Sequence, residues 1–184
     1  MNHSIRVILV IICSTLFSCA TIQQIHLKLR DAEEFNNRGF VHCQKGQYDQ
    51  AISDFSKAIK ANPQLAPAYN NRGATYLYKA QYDQAISDLN KAIELDPRLA
   101  QAYNNRGWAY IKKWQYDRAI SDFNKTIEID PVFVEAYYHR AMVYFLLEEY
   151  DKSLLDVIKA QQLGCQIPLK FLDDLREATR GISV

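Results

Sequence analysis

The sequence predicts an all-α protein: a solenoid of four helix-turn-helix units of 34 residues each, closed by a capping helix. The first observation behind this is a repeat without insertions. Asn36-Asn37-Arg38-Gly39 returns as Asn70-Asn71-Arg72-Gly73 and Asn104-Asn105-Arg106-Gly107, with Tyr138-His139-Arg140-Ala141 as a looser fourth copy. The second is that every unit holds two apolar patterns of helical period, parted near Tyr48-Asp49, Tyr82-Asp83, Tyr116-Asp117 and Tyr150-Asp151. The third is punctuation. Asn62-Pro63, Asp96-Pro97 and Asp130-Pro131 close the first three units, and proline disfavours helical geometry in the residue before it.

Residues 1–20 read as an export signal. A short region containing Arg6 leads into an apolar run over residues 7–12, continued by Leu16 and Phe17, and then into small residues. Crossing a bilayer takes about 20 apolar residues, and this run is shorter. Leu16-Phe17-Ser18-Cys19 resembles the lipobox of bacterial lipoproteins, whose cysteine becomes the lipidated first residue of the mature protein, although Phe17 is bulkier than usual there. Cys19 is therefore the candidate lipidation site, after a signal peptide of residues 1–18. Ordinary cleavage after Ala20, with a signal of residues 1–20, and an uncleaved anchor are the other two readings. Acylation implies a membrane-anchored lipoprotein of the bacterial cell envelope, facing the periplasm or the cell surface, since each buried methylene contributes about 0.8 kcal/mol. Residues 19–31 form a tether or a forward extension of the first helix.

The units then occupy residues 32–65, 66–99, 100–133 and 134–167, the fourth being divergent. Their first helices run over roughly 32–45, 66–79, 100–113 and 134–147, and their second helices over roughly 49–61, 83–95, 117–129 and 151–162. The aspartate after each tyrosine is placed to cap the second helix. Gly39, Gly73, Gly107 and Ala141, facing Ala51, Ala85, Ala119 and Ser153, let the two backbones approach, where larger side chains force them apart. Phe35, Tyr69, Tyr103 and Tyr137, with Phe55, Leu89, Phe123 and Val157, fill the space between units. Arg38, Arg72, Arg106 and Arg140 are matched by Asp54, Asp88, Asp122 and Asp156 in all four units, a pattern that predicts inter-helix ion pairs. Residues 168–184 supply the cap and tail: Leu169, Leu172 and Leu175 fall on one face of a polar helix, and a solenoid's last unit otherwise exposes its stacking face.

Composition fits a single folded domain, with 48% hydrophobic and 23% charged residues. Tyrosine is abundant, 12 against 6 glycines, because it recurs with the repeat. Arg6 is the only charged residue before position 19, so the remainder carries 21 basic residues (22 less Arg6) against 21 acidic ones. A neutral chain without a basic stripe argues against a nucleic-acid partner. Of the four cysteines, Cys13 lies in the signal and Cys19 is the acylation candidate. Cys43 and Cys165 lie three units apart, beyond the roughly 7 Å a disulfide spans, and are expected as unpaired thiols. His3 lies in the signal, and His26, His42 and His139 have no partners at ligand spacing, so neither a metal nor a cofactor is expected. No phosphate loop or nucleophile constellation is present, and the chain reads as no enzyme.

The repeat resembles the tetratricopeptide repeat (TPR) family over residues 32–165, matching its small residue at position 8, alanine at 20, apolar residue at 24 and proline at 32. It departs in carrying arginine at position 7 and Cys165 in place of the last proline. The resemblance implies a right-handed superhelix of helix pairs whose first helices line a concave groove. Carried over position by position, the groove residues are Asn36, Asn37, Asn70, Asn71, Asn104, Asn105, Tyr138 and His139, with Tyr78 and Trp108. An asparagine ladder of this kind implies amides that hold a peptide backbone, since an amide offers donor and acceptor together.

Phe40, Leu77, Ile111, Met142 and Phe145 add an apolar floor rising toward the carboxyl end, and only Glu33, Lys112 and Glu135 add charge. The resemblance therefore implies a rather apolar extended peptide, or an amphipathic helix, as ligand of a scaffold or adaptor protein. The lysines and arginine that let some family members clamp an acidic chaperone tail are missing at positions 2, 5 and 6. A self-associating structural protein, a homo-oligomer built through the groove or the capping helix, is the alternative reading.

Overall fold

The computed structural model describes the backbone of residues 3–180 and the side chains of residues 21–180. The export signal and Cys19 lie outside the residues with described side chains. Among the described residues the elements are helices only: α1 (His3–Gln44), α2 (Tyr48–Ala61), α3 (Ala66–Tyr78), α4 (Tyr82–Leu95), α5 (Ala100–Lys112), α6 (Tyr116–Ile129), α7 (Val134–Leu146), α8 (Tyr150–Gln162) and α9 (Leu169–Arg180). Consecutive helices pair as α1–α2, α3–α4, α5–α6 and α7–α8, and each pair packs on the next. Residues 21–31 continue the first unit's helix with their side chains in solvent.

Close approach within each pair depends on the small residues. A Cβ on Gly39 would lie 2.8 Å from the Phe55 ring, one on Gly73 2.8 Å from Leu89 Cγ, and one on Gly107 2.7 Å from the Phe123 ring. In the fourth unit the position is Ala141, and its partner is the smaller Val157 in the same buried cluster. Phe55, Leu89 and Phe123 are fully buried, as are Ala51, Ala85, Ala119 and Ser153. Each joint is sealed by a further small residue on the incoming helix, Ala68, Ala102 or Ala136, also fully buried.

The turn inside each unit places its middle residue in the left-handed region: Gly46 at φ 72°, Ala80 at 56°, Trp114 at 60° and Glu148 at 61°. The next amide then turns back to the first helix, as in Gln47 N to His42 O at 2.9 Å and Gln115 N to Tyr110 O at 2.9 Å, satisfying carbonyls that the helix end leaves open. Only the first unit uses the residue that tolerates this geometry without strain. At the other end of each unit Asn62, Asp96 and Asp130 are extended. Their Oδ1 atoms accept from the amides of Gln64, Arg98 and Val132, a side-chain turn that competes with further helix.

Two sequence expectations are corrected here. The second helices begin on the tyrosine, so the capping position falls on Gln47, Gln81, Gln115 and Glu149, none of which makes a side-chain cap bond. Asp49 and Asp83 sit inside the first turn, where a carboxylate complements the helix dipole, and they bind Lys79 and Lys113 of the following unit. The buried face of α9 is formed by Phe171, Leu172 and Leu175, while Leu169 is 78% exposed. The face is rotated because Phe171 packs edge-on to Tyr138 and Phe145, with ring centroids 5.8 and 5.3 Å away.

Candidate functional site

The repeated Arg–Asp pairs hold the frame of the groove. Arg38, Arg72, Arg106 and Arg140 each donate through Nε and Nη2 to both carboxylate oxygens of Asp54, Asp88, Asp122 and Asp156, at 2.6–2.8 Å. From the second unit onward Nη1 also reaches back across the joint, to Ser56 Oγ (2.9 Å), Asn90 Oδ1 (2.7 Å) and Asn124 Oδ1 (2.5 Å). One guanidinium therefore ties two helices of its own unit to the unit before. Its plane also lies over the aromatic ring one turn earlier, 5.1–5.9 Å from the centroids of Phe35, Tyr69, Tyr103 and Tyr137. All four aspartates are buried. The hydrogen bond from Arg38 holds the Asp54 carboxyl down at about 2, whereas burial between flanking units pushes Asp122 upward despite Arg106.

The asparagines form a second ladder along the inner face. Asn71 Nδ2 donates to Asn36 Oδ1 at 3.1 Å, and Asn105 Nδ2 to Asn70 Oδ1 at 2.9 Å. His139 Nδ1 stands 3.1 Å from Asn104 Oδ1. An amide oxygen only accepts, so this contact fixes the proton on Nδ1 and leaves Nε2 as an acceptor. The histidine is thus the fourth unit's substitute for the asparagine donor. Asn70 and Asn104 are buried, Asn36, Asn71 and Asn105 half-buried, and Asn37 exposed. Part of the amide capacity expected to face a peptide is therefore spent on joining units.

Between the second, third and fourth units the inner face opens into a pocket of about 220 Å³ lined by Ala74, Leu77, Tyr78, Asn104, Asn105, Trp108 and His139. Tyr78 is 67% exposed and stacks face to face on Tyr48, centroids 5.3 Å apart. Trp108 packs 4.8 Å from the His139 ring, and Lys112 Nζ sits 4.6 Å over the indole. Burial among these rings drives His139 down to about 4, against a smaller opposing pull from Glu135, so the imidazole is neutral at pH 7.

The structure brings five of the sequence-predicted groove positions together in this pocket: Tyr78, Asn104, Asn105, Trp108 and His139. It places Asn36 and Asn37 in the first unit, away from the pocket lining. Tyr138 and Phe145 lie under Phe171 of α9, and Ile111 is in the core, whereas Phe40 and Tyr78 are exposed, so the open apolar surface does not rise to the carboxyl end. Ala74 also lines the pocket, which the repeat pattern did not indicate; the available signal was its register with Trp108, since a small residue opposite an indole leaves room for a guest. Cys43 and Cys165 are free thiols. Among the described residues no three His, Cys, Asp or Glu side chains are grouped to hold a metal ion, and no helix is long and apolar enough to cross a membrane.

Comparison with known proteins agrees with this geometry. The profile described as Tetratricopeptide repeat matches residues 66–99 and 100–133, and one described as TPR repeat matches residues 39–79. No curated protein sequence matches the chain. Among solved structures, TTC0263 from Thermus thermophilus, a thermophilic TPR protein, superposes with a TM-score of 0.69 at 22% identity over 83% of each chain, a likeness of fold. MamA from Desulfovibrio magneticus RS-1 matches at 25% identity and TM-score 0.65, covering 72% of this chain and 75% of its own. The first TPR of Spaghetti (RPAP3), solved bound to the HSP90 peptide SRMEEVD, matches at 26% identity and TM-score 0.63, over 65% of this chain and 94% of that one.

Proposed function

The chain belongs to the tetratricopeptide repeat family, and on that premise we propose that it is a non-catalytic interaction scaffold whose groove takes a rather apolar peptide segment of a partner protein at the Tyr78–Trp108–His139 pocket. The observation that carries this reading is the pocket itself: exposed aromatic surface beside amide groups, on the inner face of a rigid joint. Rings supply contact area at small entropic cost, and half-used amides supply backbone recognition.

The Spaghetti domain binds an acidic peptide. Here positions 2, 5 and 6 of the four units carry no lysine or arginine, Glu33 and Glu135 add negative charge, and Lys112 is engaged over the Trp108 ring. These features favour an uncharged ligand over an acid-terminated one. Selection of a random peptide library on the protein, followed by amide-shift mapping, tests the reading. Apolar, aromatic-rich sequences that perturb Ala74, Leu77, Trp108 and His139 support it; acid-ended sequences, or shifts confined to the outer helices, reject it.

We further propose that the scaffold is tethered to a bacterial envelope membrane through acylated Cys19. The support is the run Leu16-Phe17-Ser18-Cys19 after an apolar stretch, followed by a helical extension over 21–31 with exposed side chains. Labelled palmitate should enter the wild-type protein and not Cys19→Ala; equal labelling of both rejects the anchor.

A further inference from the structure

We propose that the outer face of the first unit is a docking surface for a helical hairpin of a different protein, one presenting an acidic residue toward Lys45, an amide or hydroxyl toward Arg38 and a basic residue toward Glu34. The three internal joints show what that face is built to receive. At the first two joints the lysine ahead of the turn binds the early aspartate of the preceding unit's second helix (Lys79 to Asp49, Lys113 to Asp83), and the third has Leu147 there. The arginine's Nη1 binds Ser56, Asn90 or Asn124, and the second asparagine, or His139, binds the preceding unit's first asparagine.

The first unit keeps all three donors, as Lys45, Arg38 and Asn37. Among the described residues Lys45, Asn37 and Arg38 Nη1 have no partner. The apolar position between them is also open. Val41 is 43% exposed, whereas its counterparts Thr75, Ala109 and Val143 are fully buried under the unit before.

The two ends of the solenoid differ in a way that makes the pattern more than a residue of repetition. At the far end the groups that a fifth unit would need have changed. The accepting asparagine is Tyr138, packed under Phe171 of α9, and the Ser or Asn acceptor of the outer helix is Ile158. That end has lost the acceptors, with Ile158 itself 42% exposed, while the near end retains its joint chemistry and leaves it unpaired.

The same comparison argues against a second copy of this chain stacked head to tail as the occupant, and self-association through two near ends is an outcome the test reads. A near end set on a far end meets α9 and finds Ile158 and Tyr138 in place of acceptors. Glu34 adds a specific requirement. It stands where later units bury Ala68, Ala102 and Ala136, and the cation near it among the described residues is the Arg38 guanidinium one turn on, so a partner that covers it is best matched by a basic residue there.

The test uses the full chain and a hairpin peptide copying residues 66–99, whose Asp83 and Asn90 serve the natural joint, with Ala92→Lys added to face Glu34 and its helices cross-linked so that circular dichroism shows it folded alone. Saturable binding with amide shifts at Asn37, Val41 and Lys45 is expected. Lys45→Glu should weaken it by about tenfold, the size of one lost ion pair at a partly desolvated site, and Asp83→Lys in the peptide should recover it. Absence of saturation, binding indifferent to Lys45→Glu, or shifts at Tyr78 and Trp108 instead would overturn the proposal, as would self-association of the full chain that Lys45→Glu abolishes. Trp108→Ala should leave this binding unchanged, which separates it from the groove.

Discussion

Arg106 donates from Nε and Nη2 to the two carboxylate oxygens of Asp122 at 2.8 and 2.7 Å, and from Nη1 to Asn90 of the preceding unit at 2.7 Å. Asp122 is 5% exposed, so removing the arginine leaves a nearly dry carboxylate without a partner. Arg106→Ala is expected to cost about 3 kcal/mol or more in urea unfolding. In a double-mutant cycle with Asp122→Ala the coupling should exceed about 1 kcal/mol. The exposed pair Lys91–Glu94 is the control and should couple by less than about 0.5 kcal/mol. Equal coupling for both pairs contradicts a buried role for the arginine.

The glycines of the first helices face large buried partners. Gly107→Ala puts a methyl 2.7 Å from the Phe123 ring and is expected to destabilise the fold by about 1–3 kcal/mol. Adding Phe123→Val, which reproduces the Ala141–Val157 pairing of the fourth unit, should recover part of that loss. A Gly107→Ala protein with unchanged midpoint shows that the helices separate at no cost.

At the turns the sign reverses. Ala80 sits at φ 56°, so Ala80→Gly should stabilise by about 1 kcal/mol through relief of left-handed strain. Gly46→Ala should destabilise by a similar amount although nothing lies within 4 Å of the added carbon. Thermal midpoints of the two variants moving in the same direction would contradict this.

Two groups make stability fall in acid, in separate windows. His139 is depressed to about 4, so the unfolded chain binds its proton first. As pH falls from about 6.5 to 4 the folded state loses up to roughly 3 kcal/mol. Asp54, held at about 2 by Arg38, contributes stability that is present above about pH 4 and lost between pH 4 and 2. His139→Asn, which restores the asparagine used by the second and third units, should flatten the upper window and leave the lower one. Unfolding followed against pH checks it, and an unchanged upper slope would show that His139 titrates normally.

Much of this architecture was legible in the sequence because the period is carried by residues with a steric reason to be there. Gly39, Gly73 and Gly107 announce close helices, and the prolines after Asn62, Asp96 and Asp130 announce the ends. The Arg–Asp register was readable as a pairing, since both partners recur at fixed spacing. That Nη1 crosses to the preceding unit was not, because Ser56, Asn90 and Asn124 look like ordinary surface residues. The aspartates after the tyrosines looked like caps, yet Asp49 and Asp83 pair with lysines 30 residues onward, a contact visible only once the units stack. The groove was overestimated at its carboxyl end, since nothing in the spacing of α9 showed that Phe171 rather than Leu169 turns inward over Tyr138 and Phe145. The asparagine ladder was identified by position, but its division between joining units and facing solvent depends on which amide reaches which, and a linear pattern does not contain that.

The most direct test of the scaffold reading places a photoreactive amino acid at Tyr78, on the groove, and at Ser87, exposed on α4, in cells producing the full chain. Capture of one discrete protein from position 78, lost on Trp108→Ala and absent from position 87, is the predicted result. Equal capture from both positions, or capture from position 78 that Trp108→Ala leaves intact, would contradict the groove as the binding surface.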